Sequence, residues 1–172
     1  TEAEMDKDQV LELICSAIDA LNKFRLNEGQ KLSKIIAQRL KALQSLIVKI
    51  TKNSKDVKSL YYEKLKDRIE NFVKNAKVNI EISEDRMNQE IAMMADRLDI
   101  SEECRRLMHH VREAGSVLGE RECGMRLGFL VQEMHRELNT MGSKVADSEA
   151  VHRVIGLKEI VGGMKEQSAN VQ

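Results

Sequence analysis

The chain has 172 residues and a mass of 19.6 kDa, enough for one compact domain or two small helical layers but not for a large catalytic core beside a separate recognition domain. Its 28 Lys and Arg residues balance 28 Asp and Glu, which excludes a uniformly basic surface and leaves a nucleic-acid groove only as a local feature. There is no proline and aromatics make up 3%, where average composition would bring roughly nine prolines; a turn-rich sandwich or barrel is excluded in favour of long helices.

Val10, Ile14, Ala17, Leu21 and Phe24 recur at helical spacing, and Leu32, Ile36, Leu40, Leu43, Ile47 and Ile50 continue the stripe. Side chains three and four apart share one helix face, so the spacing predicts a first helix or helix pair, with Asn27 to Gln30 as the place for a break. Thr51 to Lys55 is polar and poor in helix formers. Beyond it Val57, Tyr61, Leu65, Ile69 and Phe72 mark another helix, and the two stripes can bury each other as a long antiparallel hairpin. Val78 to Ile82 alternates apolar and polar residues over too short a run for a strand, and reads as an extended connector. Ser83 is placed to cap a helix containing Met87, Ile91, Met94 and Leu98. Ser101, followed by Glu102 and Glu103, is placed to cap a helix through Leu107, Val111, Ala114 and Leu118, its acidic first turn suiting the positive helix end. A loop around Glu120 to Gly124 leads to a helix from about Met125 to Met141. The last helix starts at Asp147 or Ser148 and carries Val151, Ile155, Val161 and Met164. Gly156, Gly162 and Gly163 weaken it by about 0.5–1 kcal/mol each relative to alanine, so it frays unless packed. The expected fold class is all-α: a long antiparallel helical hairpin over residues 1–82, then a smaller C-terminal helical cluster over 83–172.

Neutrality is a sum of unlike segments. Residues 31–77 carry 13 Lys and Arg against four acids, whereas residues 1–30 carry three against seven and residues 78–172 carry 12 against 17. This asymmetry serves packing between regions, solubility, or a basic docking face. Cys15, Cys104 and Cys123 form neither a CxxC pair nor a secreted disulfide framework, which points to a reducing cytoplasm. Without an apolar run of membrane-spanning length or a signal segment, neither a membrane span nor secretion is expected.

The most informative polar stretch runs from Gln132 to Lys144. At helical spacing Glu133, Glu137, Thr140 and Lys144 share a narrow face opposite Leu127, Leu130, Met134, Leu138 and Met141. Two carboxylates one turn apart can share a divalent cation or position water beside a phosphate; equally, they can be ordinary solvated partners of Arg136. Arg126 and Arg136 can contact phosphate or serve as surface ion-pair partners. Arg86, Glu90 and Arg97 lie on one broad face of the preceding helix, with Asp96 and Asp99 near its end, and join the acidic set only if the fold brings the two regions together. His109 and His110 are adjacent and point in different directions. His110 follows Arg106 by one turn and is the stronger candidate for acid–base chemistry near a phosphate. No HExxH zinc signature is present, and His135 and His152 are read as nonligands. Cys104, near a helix start, is read as a small partly buried side chain, as are Cys15 and Cys123.

With these residues in place, a longer pattern emerges. Gln89-Glu90, Ala95-Asp96-Arg97, Asp99-Ile100-Ser101-Glu102-Glu103, Arg106-Leu107 and His110 resemble the YicC/YloC family. The match continues through Phe129-Leu130, Gln132-Glu133-Met134, Arg136-Glu137, Asn139-Thr140, Gly142-Ser143-Lys144, Asp147, Glu149, Leu157-Lys158 and Glu166-Gln167, with Arg25, Glu28 and Gly29 upstream. Met125 stands where that pattern has a basic residue, Gly128 where it has Asp, and His135 where it has Asn. The resemblance implies an endoribonuclease in RNA turnover that uses a divalent metal, Mn²⁺ or Mg²⁺, and assembles as a homo-oligomer with a hexameric channel. It further implies that the family's N-terminal α+β domain is absent here, that this chain alone forms monomers or small oligomers, and that RNA and RNA-degradation proteins are the partners. On this reading Glu90, Glu133 and Glu137 hold metal, with Glu133 and Glu137 also orienting water and His110 assisting proton transfer. Arg97, Arg126, Arg136 and Lys144 contact RNA. The alternative is a noncatalytic helical module that binds RNA or a protein.

Overall fold

The computed structural model describes residues 7–53, 57–76, 83–120, 123–145 and 148–168. Among them every regular element is a helix: α1 (Lys7–Asn53), α2 (Val57–Ala76), α3 (Glu84–Leu98), α4 (Ser101–Val117), α5 (Gly124–Lys144) and α6 (Ser148–Ser168). The all-α class, the long first helix and the C-terminal cluster are as the periodicity indicates. The connector expected over Val78 to Ile82 and the start expected at Asp147 lie outside the described residues.

α1 is one uninterrupted helix of 47 residues, about 70 Å long at 1.5 Å per residue. Asn27 to Gln30 does not break it; straight-chain neighbours on both sides propagate the helix through that polar turn. Its second half buries Ile36, Leu40, Leu43, Ile47 and Ile50. The helices covering that stripe are α4 and α6, while α2 packs against α3 instead of lying along α1. The stripe therefore has the expected buried face and a different partner from the hairpin. α4 also packs on α5, and α5 on α6, so the second half of α1 closes a four-helix ring around a single core. Leu107, Val111 and Val117 of α4, Leu127, Met134, Leu138 and Met141 of α5, and Leu157, Val161 and Met164 of α6 are buried in it. Each such side chain contributes on the order of 1.5–3 kcal/mol through the water it sheds.

Packing rescues the glycine-rich last helix. α6 runs intact to Ser168 with Val154, Leu157, Val161 and Met164 buried. Gly163 permits a close approach, because a Cβ there would fall 2.8 Å from the Arg39 guanidinium carbon. The first half of α1 has no such cover: Leu11, Leu13, Ile18, Leu21 and Phe24 are all more than half exposed.

Helix starts differ from expectation in one respect. Ser83 occupies the cap position of α3 but its side chain makes no capping bond. At α4 the Ser101 amide N–H donates to Asp99 Oδ1 at 2.8 Å, so Asp99 takes the role expected of Ser101. A carboxylate is the better acceptor at this positive helix end.

Candidate functional site

The antiparallel seam between α4 and α5 gathers much of the chemistry singled out in the sequence. At one end Lys144 Nζ lies 2.7 Å from Glu103 Oε1 and donates to the Asp99 carbonyl at 3.0 Å. One turn on, Arg106 Nε lies 3.1 Å from Glu137 Oε1, and the same guanidinium meets Glu102 Oε1 at 2.9 Å. At the far end Arg126 Nη2 lies 3.1 Å from Glu113 Oε1. His110 sits one turn beyond Arg106 on α4, and Glu133 one turn before Glu137 on α5. The two flanking ion pairs therefore set His110 and Glu133 at the same level of the seam. The Nδ1 atom of His110 is buried and has no hydrogen-bond partner among the described residues.

These environments separate structural charges from available ones. Glu103 and Glu137 are buried, and each is held by a cation across the seam. Hydrogen bonding to Glu137, reinforced by the surrounding carboxylates, raises the Arg106 pKa further and fixes its positive charge. Arg126 is raised in the same way, first by Glu113 and then by Glu120. Lys144 and Arg126, expected to contact RNA, thus have their charges engaged within the fold. Arg136 is exposed and lies 3.9 Å from Glu133 Oε2. Arg97 is exposed at the end of α3, away from the seam.

Glu90 is likewise exposed on α3, which packs on α2. The proposed metal set of Glu90, Glu133 and Glu137 is consequently not gathered in this chain, and among the described residues no group of three His, Cys, Asp or Glu side chains could hold a metal ion. Glu137 is committed to Arg106 and Glu133 lies 3.9 Å from Arg136, so these two carboxylates alone fall short of a complete divalent-ion shell. No chemical step is assigned to a metal here.

A second feature escaped the sequence. An open groove of about 980 Å³ runs from the end of α1 across α4, lined in part by Val48, Lys52, Arg105, Arg106, His110 and Arg112. Its floor includes Cys104, whose thiol pKa is pushed up chiefly by burial, against a smaller lowering effect of the Thr51 hydrogen bond; this side chain is packing, not a nucleophile. Arg106 and His110 line the groove, and Arg106 also meets Glu137 in the seam, so groove and seam share an edge. The remaining histidines make local bonds: His152 Nδ1 lies 2.7 Å from the Ser148 carbonyl, and His135 Nδ1 lies 3.1 Å from Asn139 Nδ2.

Among the described residues the structure is an all-helical module with a cationic groove beside a histidine and ion-paired carboxylates. The family described as endoribonuclease YicC-like, C-terminal, matches residues 50–172, and the chain belongs to that family. A Clostridioides difficile (strain 630) protein named probable endoribonuclease YicC is 33% identical over 99% of this chain and 59% of its own length. A Haemophilus influenzae (strain Rd) protein of the same name is 32% identical over 98% of this chain and 58% of its own length. The chain thus spans less than three fifths of the relatives it matches. No helix among the described residues is long and apolar enough to cross a membrane.

Proposed function

We propose that this chain is the helical portion of an endoribonuclease and that cleavage takes place where the groove meets the α4–α5 seam. One observation carries this reading: in a chain of the family described as endoribonuclease YicC-like, Arg106 and His110 line a cationic groove, and Arg106 meets Glu137, one turn from Glu133, across the seam. Arg106, held by Glu137 and Glu102, neutralises the phosphate under attack. Glu133 orients water and takes its proton as the oxygen attacks phosphorus. Protonated His110 donates to the departing ribose oxygen, so the bond to that oxygen breaks as the new phosphorus–oxygen bond forms. Glu137 acts through Arg106 and is a positioning residue. A divalent metal bound beside these carboxylates would take the rest of its shell from water and phosphate oxygens and would supply charge neutralisation at the phosphate.

The test is cleavage of an end-labelled RNA, with binding measured separately at fixed salt. His110→Gln and Glu133→Gln should each lower cleavage by about 10²-fold or more while leaving binding intact, the usual scale for loss of a general acid or base. Undiminished cleavage by both variants rejects the assignment. Stoichiometric RNA binding by wild type with no cut product, with and without Mn²⁺ or Mg²⁺, favours the noncatalytic module.

Assembly is proposed to use the uncovered first half of α1 against a second copy. An antiparallel pairing of that stripe sets Asp8 and Glu12 of one copy opposite Lys23 and Arg25 of the other, and yields small oligomers.

A further inference from the structure

The groove also contains cations that the cleavage scheme does not use. Arg105 and Arg112 are exposed two turns apart on α4, and Lys52 is exposed near the end of α1. All three line the groove, and among the described residues none has a carboxylate within ion-pair distance. They contrast with Arg126 and Lys144, whose charges meet Glu113, Glu120 and Glu103. The α1 residues that line the groove, Val48 and Lys52 among them, belong to the most basic segment of the sequence, residues 31–77. Lys52 and the two arginines lie far apart in sequence, and the α1–α4 packing is what places them along one channel.

We infer that Lys52, Arg105 and Arg112 form the track along which the ribose-phosphate backbone of an RNA strand lies, delivering a phosphodiester to Arg106 and His110. This deepens the cleavage reading above and rests on it. Two guanidinium groups two turns apart, about 10 Å along the helix, each with a planar donor fork that matches phosphate, suit separate phosphates of one backbone better than a single small anion. None of the described lining residues is Phe, Tyr or Trp, and the only rings there are those of His109 and His110, so cationic groups dominate the groove over surfaces for stacking bases. The backbone is then the feature recognised, and binding tolerates changes in base sequence.

The experiment is fluorescence anisotropy of a short labelled oligouridine titrated with the protein over a series of salt concentrations. Replacing Lys52, Arg105 and Arg112 together by Gln should lower the slope of log affinity against log salt by about two, about 0.7 for each phosphate contact removed from a single strand. The Arg105→Lys/Arg112→Lys variant should keep the slope, since the charges remain. Lys34→Gln/Lys41→Gln/Lys66→Gln, equal in charge change but outside the groove, should also keep it. The inference is overturned if the groove variant, folded by circular dichroism, retains the wild-type slope and affinity. It is overturned equally if polyglutamate displaces the RNA at matched charge concentration, which makes the groove an acidic-peptide site. Wild-type protein that binds no RNA would remove both this track and the cleavage reading, whereas wild-type binding unaffected by the groove substitutions removes only the track.

Discussion

Lys144 provides a sharp separation between structural and RNA-binding charge. Its ammonium group lies 2.7 Å from Glu103 Oε1, with the Glu103 side chain 3% exposed and that of Lys144 28% exposed. Lys144→Met keeps the length of the side chain and removes its charge, leaving a buried carboxylate whose other oxygen already lacks a hydrogen-bond partner among the described residues. Removing one partner of a fully buried pair costs about 3–5 kcal/mol. Here Lys144 is partly in solvent and Arg106 remains 3.9 Å from Glu103, so about 2–3 kcal/mol is expected after screening. For a chain of this size that corresponds to a fall of about 5–10 °C in Tm. Glu103→Met/Lys144→Met removes both charges and should recover to within about 1 kcal/mol of wild type, giving a coupling energy of about 2 kcal/mol in the double-mutant cycle. Thermal unfolding monitored by circular dichroism measures these changes, and the salt slope of RNA binding should be the same for Lys144→Met as for wild type. An unchanged Tm with a slope reduced by about 0.7 would refute the reasoning and return Lys144 to the RNA interface.

Three further outcomes test other parts of the structure. Gly128 lies within α5 with nothing inside 4 Å of the position a Cβ would take, so Gly128→Ala should stabilise the protein by about 0.5–1 kcal/mol, measured by urea denaturation; destabilisation would mean that the site is tighter than described. Burial raises the Cys104 pKa above the ordinary value of 9.0, so the unfolded thiol ionises first and stability should be full below pH 9.0 and decline as pH rises past it toward the folded value. Cys104→Ala should abolish that alkaline decline, and iodoacetamide should modify exposed Cys15 well before Cys104 as read by peptide mass. Sedimentation of wild type should show monomers and small oligomers, with Ile14→Glu/Leu21→Glu shifting the distribution to monomer; a stable hexamer in this chain alone would contradict the assembly proposed.

Helix identity and buried faces were legible because apolar spacing reports the face of a helix directly. Ile36, Leu40, Leu43, Ile47 and Ile50 read as a stripe and are buried. The same spacing carries no information about what covers the stripe, and α4 and α6 do so where α2 was expected. The site shows the same division. His110, Glu133 and Glu137 were visible as one-turn neighbours of other polar residues, and the antiparallel seam brings Glu137 to Arg106, one turn from His110. Glu90 was visible on equal terms, but its helix packs elsewhere. The Lys144 ion pair was not legible because its partner Glu103 comes from another helix, and Lys52 was silent because only packing of α1 on α4 joins it to Arg105 and Arg112. The stretch of excess positive charge over residues 31–77 was the one sequence signal that pointed toward the groove.

Photocrosslinking places bound RNA on the protein without relying on a substitution. RNA carrying 4-thiouridine, bound at low salt and irradiated, should give adducts on peptides from the end of α1 around Lys52 and from α4 between Ser101 and Arg112. Adducts confined to the first half of α1 or to α6, with none on α4, would contradict both the track and the location assigned to cleavage.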